Sequence, residues 1–105
     1  MKIEFTKFAW DDMEYILKEP VEGSLEHEKG LWIFEVPYYN LHSYSLNKEE
    51  ALALLNEDFD CQYEEFAYEP DDNLTLDAIK FRDRMKDGIA EILKIEKQYY
   101  ECEEE

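Results

Sequence analysis

The sequence has little of what several common functional sites require. It contains three glycines, too few for the glycine-rich loops that cradle phosphates in nucleotide-binding proteins. Its two cysteines, Cys61 and Cys102, form no disulfide framework, which favours a reducing compartment. No apolar run approaches the roughly 20 residues of a membrane-spanning helix, and the N-terminal residues lack the apolar segment of a secretory signal. These absences predict a cytoplasmic protein.

Positive charge is also scarce. Lys and Arg number 11 against 28 Asp and Glu, which gives a formal net charge of −17. A field of this sign repels nucleic acid and attracts basic surfaces, so direct nucleic-acid binding is not expected and a basic protein partner is. Hydrophobic residues make up 45% of the 105 residues, enough for one folded core. We expect a single domain over residues 1–97 and a frayed acidic tail over residues 98–105.

Alternating apolar and polar residues predict several antiparallel strands. Residues 3–8 predict the first strand, and residues 21–36 predict a hairpin with its turn at Lys29 and Gly30. Pro37 ends the second arm, and residues 38–45 predict a further strand that is rich in aromatic side chains. Residues 10–19 fit a short helical turn or a strand equally well. The pattern predicts an α+β fold with an antiparallel sheet of three to four strands.

Two helices are predicted after the strands. Asn47 and Glu50 have the spacing of a capping box, so a helix begins there and packs through Leu52, Leu55, Phe59, Tyr63 and Phe66. Thr75 caps a second, C-terminal helix, whose apolar stripe predicts that it runs to the mid-nineties. Gly88 lies beside that stripe, where another element can approach closely. One helix is therefore expected to cover the sheet, with the second following it.

The acidic residues are concentrated and not spread evenly. Every charged residue from Glu49 to Asp72 is acidic, and dispersed solubility charge normally mixes both signs. The pattern indicates either a solvated helix face or a surface that a basic protein covers, and we favour the latter. Exposed tyrosines on the neighbouring strands suit the same surface. The predicted partner-binding residues are Glu49, Glu50, Glu57, Asp58, Asp60, Glu64, Glu65, Tyr38 and Tyr44.

Other patterns give weaker hypotheses. Basic residues cluster at Lys80, Arg82, Arg84 and Lys86, and pairing with the first helix explains them more simply than nucleic-acid contact. Glu26, His27 and His42 allow a metal site, but neither histidine has a second ligand at the usual spacing. No Ser or Cys nucleophile with an oxyanion-type glycine turn accompanies His42 as a general base. We therefore predict no catalytic residue, no metal and no cofactor.

The segment from Trp32 to Pro37, followed by a short strand and the run Asn47-Lys48-Glu49-Glu50-Ala51-Leu52, resembles the HicB-like antitoxins. The resemblance covers roughly residues 21–66. It departs from the family pattern at residues 38–40, which lack a Pro-Gly step, and at residues 45–46, which lack a glycine. The resemblance implies a hairpin-rich sheet crossed by the Glu49 helix, a small basic ribonuclease toxin as partner, and often dimerisation.

These observations lead to three functional hypotheses. The leading one is an inhibitor of antitoxin or immunity type that masks a basic nuclease or nucleic-acid-binding protein. The alternative is a phage-type mimic of nucleic acid that inhibits a host defence nuclease. A second alternative is a small metal-dependent enzyme that uses Glu26, His27 and His42.

Overall fold

The computed structural model describes residues 1–94, which form one antiparallel sheet and two helices. The elements in chain order are β1 Lys2–Trp10, β2 Met13–Glu28, β3 Leu31–Val36, a 3-10 turn Pro37–Tyr39, β4 Leu41–Ser45, α1 Lys48–Phe66, a 3-10 turn Asp71–Asn73, α2 Leu76–Gly88 and β5 Ile89–Lys94. The predicted α+β class is confirmed, with five strands in residues 1–94 where three to four were expected. The predicted tail, residues 98–105, lies outside the described residues.

The longest strand, β2, organises the sheet. Its 16 residues pair with β1 along one side, and β5 and β3 share its other side, one at each half. β4 pairs with β3 at the edge. Residues 10–19, which the sequence left undecided, form the end of β1, a tight turn and the first part of β2.

The predicted hairpin over residues 21–36 is confirmed. Lys29 and Gly30 connect its arms, and both have positive φ angles, 51° and 83°. Two residues with positive φ form the turn whose twist matches that of the strands. A two-residue turn at Asp11 and Asp12, in which Asp11 has a φ of 57°, connects β1 to β2.

The capping residue predicted for α1 is confirmed. The Asn47 side chain accepts a hydrogen bond from the backbone N–H of Glu50 at 3.0 Å. The helix buries Ala51, Leu55, Phe59 and Tyr63, but Leu52, which was expected on the packed face, is 41% exposed. Ala51 takes its place because the Ser43 hydroxyl donates to the Ala51 carbonyl at 2.6 Å and holds the first turn of α1 against β4.

The prediction that the second helix reaches the mid-nineties is wrong. Thr75 caps it as expected, but α2 ends at Gly88, and residues 89–94 form β5. β5 pairs with residues 13–17 of β2. Because this edge of β2 is open, the apolar residues after Gly88 form a strand there and do not continue the helix.

The strand predicted over residues 38–45 is shorter than expected. Pro37 fixes a backbone angle that suits a helical turn, and the 3-10 turn Pro37–Tyr39 ends at Asn40 in the left-handed conformation. β4 therefore begins only at Leu41. This turn places Tyr38 and Tyr39 between the sheet and α2.

The core lies between one face of the sheet and the two helices. Phe8 stacks on Phe59 with ring centroids 4.4 Å apart, and the rings of Tyr15 and Tyr39 contact Phe59 edge-on. These four side chains are at most 1% exposed. Because strand side chains alternate between faces, the opposite face of the sheet carries the exposed residues.

Candidate partner-binding surface

The exposed side of α1 carries acidic and apolar residues in alternation. Glu50, Leu54, Glu57, Cys61 and Glu64 recur at intervals of four and three residues, so they form one line along the helix, which we call the outer seam. All are exposed except Glu57, which is half-buried. The predicted residues Glu49, Asp58 and Glu65 flank this seam. The structure therefore brings most of the predicted carboxylates together on one face.

The carboxylates of α1 are not neutralised within the described chain. Among residues 1–94, no Lys or Arg lies within 4.0 Å of a carboxylate of α1, and the observed ion pairs join other elements. Glu50 accepts a hydrogen bond from the Ser45 hydroxyl at 2.5 Å, and Asp58 accepts one from the Gln62 amide at 3.2 Å. Acidic charge on this face is thus available to an external cation.

Asp60 is the exception among the predicted acidic residues. It is only 8% exposed, and one of its oxygens accepts a hydrogen bond from the buried Tyr15 hydroxyl at 2.5 Å. Burial and this hydrogen bond raise the pKa of Tyr15. Asp60 therefore connects α1 to β2 inside the molecule and does not belong to the exposed acidic face.

The two predicted tyrosines lie apart from the outer seam. Tyr44 is 58% exposed but lies on the open face of the sheet, because its neighbours Leu41 and Ser43 point towards α1. Tyr38 is half-exposed in the 3-10 turn, where the Arg84 guanidinium lies 5.1 Å from its ring centroid. The acidic helix and the tyrosines do not form one continuous patch.

The basic residues of α2 pair differently from the prediction. Arg82 binds Asp71 at 2.7 Å, and it also donates to the carbonyl of Glu69. Lys86 donates to the carbonyl of Ala67 at 3.4 Å. Lys86 thus contacts the C-terminal cap of α1, where the helix dipole is negative, and Arg82 contacts the loop that follows. Neither forms an ion pair with a carboxylate of α1.

An open cleft was missed by sequence reasoning. It has a volume of about 900 Å³ and lies between the irregular middle of β2, the 3-10 turn and the end of α2. In residues 1–94 no strand pairs with residues 18–20, which leaves this part of β2 open. Pro20 has no backbone N–H to donate to a neighbouring strand, and this was the sequence signal for an unpaired segment of β2.

The histidines do not converge on a metal site. His27 stacks on Trp32 with ring centroids 3.9 Å apart, and His42 lies 3.8 Å from Glu35. The two histidines are on opposite faces of the sheet, and Glu26 binds the N-terminal ammonium at 2.9 Å. No group of three potential metal ligands occurs in the part of the chain that the structure describes.

A scan against protein-family models finds no match for this chain, and searches of curated proteins and of solved structures find no significant match. Nothing in them bears on the resemblance to HicB-like antitoxins, which stays a hypothesis. Within residues 1–94, no helix is long and apolar enough to span a membrane.

Cys61 lies in the negative electrostatic field of the outer seam. Cys61 is exposed, and partial burial together with the negative charges of Glu57, Asp60, Asp58 and Glu64 raises the pKa of its thiol. A raised pKa keeps the thiol protonated at neutral pH and therefore weakly nucleophilic. Cys61 therefore has little thiolate character on this acidic face.

Proposed function

We propose that the protein is an inhibitor that binds a basic partner protein through the outer seam of α1. The partner is a nuclease or a nucleic-acid-binding protein, and the inhibitor is of antitoxin or immunity type, as the HicB-like resemblance implies. Binding covers the partner's basic surface and so keeps nucleic acid away from it. The proposed location is the cytoplasm, and homodimer formation is part of the same hypothesis.

One observation carries the proposal: the α1 carboxylates have no Lys or Arg partner within the described chain. Carboxylates recur along the helix at Glu49-Glu50, Glu57-Asp58 and Glu64-Glu65, and this concentration of like charge is unfavourable in the free protein. A basic partner relieves this repulsion. Leu54, 41% exposed between the carboxylates, adds apolar area to the same contact.

The first experiment identifies the partner. The protein is used as bait in a lysate of its source cells at low salt, and the bound proteins are eluted along a salt gradient. We expect one basic protein with nuclease or nucleic-acid-binding activity, released by salt because exposed charge pairs are screened. The activity of that purified protein is then assayed with and without the inhibitor.

The second experiment locates the contact. The triple variant Glu50→Gln, Glu57→Gln, Glu64→Gln removes three charges from the outer seam, and we expect its association rate to fall by about tenfold at low salt. The control variant Glu4→Gln, Glu28→Gln, Glu91→Gln removes the same charge from exposed strand positions. Equal losses in both variants, or rates insensitive to salt, would contradict binding through α1.

A nucleic-acid mimic is the second candidate, and the charge spacing favours it specifically. The six paired carboxylates from Glu49 to Glu65 extend over about 24 Å, which is about 5 Å between successive charges on average, at the helical rise per residue. One nucleic-acid strand carries a charge about every 3.4 Å along its axis. Competition between the protein and a DNA or RNA oligonucleotide for the partner supports mimicry, and simultaneous binding of both excludes it.

A further inference from the structure

The cleft beside β2 contains a buried polar group without a partner. Tyr39 lines the cleft and is 1% exposed, yet its hydroxyl makes no hydrogen bond to any residue in the described part of the chain. Leaving a buried hydroxyl unpaired costs free energy, and most buried polar groups in proteins have a protein or water partner. An unpaired hydroxyl in the wall of a cleft is therefore a candidate contact for a ligand.

Gly88 provides the space for this hydroxyl. A side chain at position 88 would collide with the oxygen of Tyr39, and Gly88 itself lines the cleft. The missing side chain at position 88 therefore leaves room for the Tyr39 hydroxyl at the wall of the cleft. Burial raises the pKa of Tyr39 to about 12, so the hydroxyl keeps its proton at neutral pH and can donate it.

The remaining walls and rim define what fits. Pro20, Val21, Pro37 and the half-exposed ring of Tyr38 make the walls mainly apolar, and the volume of about 900 Å³ lies within the range of small-molecule sites.

At the rim, the Lys2 ammonium lies 3.6 Å from Glu22. The other charged residues that line the cleft are Lys18, Glu19 and Asp87, so the lining has no surplus positive charge. With a chain charge of −17, an anion such as a phosphate is disfavoured, and a cation would lose hydration beside an apolar wall.

We propose that this cleft binds a small uncharged molecule with an apolar ring and one oxygen acceptor, which accepts a hydrogen bond from the Tyr39 hydroxyl. The site is separate from the outer seam of α1 and does not depend on the proposed inhibitor function. The protein therefore has a ligand-binding site on a different surface from the one that contacts its partner.

The test uses three probes with the same ring: benzamide, benzoate and protonated benzylamine. Each is titrated into the full-length chain and followed by amide NMR shifts. We expect benzamide to bind with a dissociation constant of about 1 mM, as its size allows, and to shift the amides of Lys18, Val21, Tyr39 and Gly88. Benzoate and benzylamine should bind more weakly.

Two variants test the contacts. Tyr39→Phe removes only the hydroxyl, and we expect benzamide binding to weaken by about threefold to tenfold, the worth of one hydrogen bond. Tyr38→Ala removes an exposed part of the cleft wall. It should weaken benzamide binding without disturbing the buried core. Tyr44→Phe, on the open face of the sheet, is the control and should bind as the unaltered chain does.

Several outcomes would overturn the proposal. Benzoate binding as tightly as benzamide would contradict the charge argument. Unchanged affinity of Tyr39→Phe for benzamide would mean that the hydroxyl binds water and not the ligand. Shifts that are absent, or that lie on other surfaces, would exclude the cleft as the site.

Discussion

The hydrogen bond between Tyr15 and Asp60 is the clearest example of a single contact that joins distant parts of the chain. Both side chains are buried, and the donor and acceptor are 45 residues apart. Tyr15→Phe removes the donor and leaves a carboxylate buried without its partner. We expect the free energy of unfolding to fall by about 1–3 kcal/mol, because an unpaired buried group costs its desolvation energy. Urea denaturation measures the change.

A matched control separates this effect from the loss of any tyrosine hydroxyl. Tyr44→Phe makes the same chemical change at an exposed position and should alter stability by less than about 0.5 kcal/mol. The double variant Tyr15→Phe, Asp60→Leu removes both polar partners, so part of the loss should be recovered. Equal stability of Tyr15→Phe and Tyr44→Phe would show that the hydrogen bond contributes nothing.

The burial of Asp60 also marks the limit of sequence reasoning at single residues. Its position on the helix, among other carboxylates, gave no sign that it differs from Glu57 or Glu64. What distinguishes it is Tyr15, which comes from a segment whose own structure was undecided. Tyr39 illustrates the same limit, because its buried hydroxyl depends on Gly88 in another element.

At the scale of elements, Gly23 shows how closely two strands approach. A side-chain carbon at position 23 would lie 2.6 Å from the carbonyl oxygen of Glu35 and 3.2 Å from Val36 in β3. The carbonyl belongs to the backbone and cannot turn away. We expect Gly23→Ala to lower the free energy of unfolding by about 1–3 kcal/mol, the usual cost of overpacking.

Thermal unfolding checks this prediction against Ser24→Ala, a control at the next residue, where the side chain is half-buried and becomes smaller. We expect a clearly lower midpoint for Gly23→Ala and little change for Ser24→Ala. A midpoint for Gly23→Ala as high as that of the unaltered chain would mean that β2 and β3 separate easily at this point.

The two segments that sequence patterns assigned poorly pair with each other. Residues 13–17 were undecided and residues 89–94 were predicted helical, yet they form neighbouring strands. Their apolar residues suit either structure, and each becomes a strand because the other offers an open edge. Such long-range pairing overrides local preference. The hairpin over residues 21–36 was predictable because its turn, alternation and pairing are all local.

For the whole molecule, the charges divide between the sheet and the helices. Some carboxylates on the sheet have nearby cations, as in the pairs Lys2 with Glu22 and Lys7 with Glu14. The carboxylates of α1 have none within residues 1–94. The concentration of acidic residues was visible in the sequence, and the predicted acidic face was located on α1. Its separation from Tyr38 and Tyr44 required the three-dimensional arrangement.

The buried tyrosines make the whole fold sensitive to alkali. Burial raises the pKa of Tyr15, of Tyr39 to about 12, and of Tyr63. In the unfolded chain these phenols ionise near pH 10, so the folded state holds their protons more tightly. Their contribution to stability is therefore complete below about pH 10 and is lost as the pH rises towards 12. We expect the urea midpoint to fall steeply over this interval.

The absorbance of tyrosinate provides the second measurement. The buried tyrosines Tyr15, Tyr39 and Tyr63 should ionise only together with unfolding, because burial raises the pKa of each phenol. Tyr39→Phe removes one of the three groups, so its urea midpoint should fall less steeply with pH than that of the unaltered chain. Ionisation of Tyr15, Tyr39 and Tyr63 near pH 10 without unfolding would refute the prediction, because the buried rings would then be reachable by water.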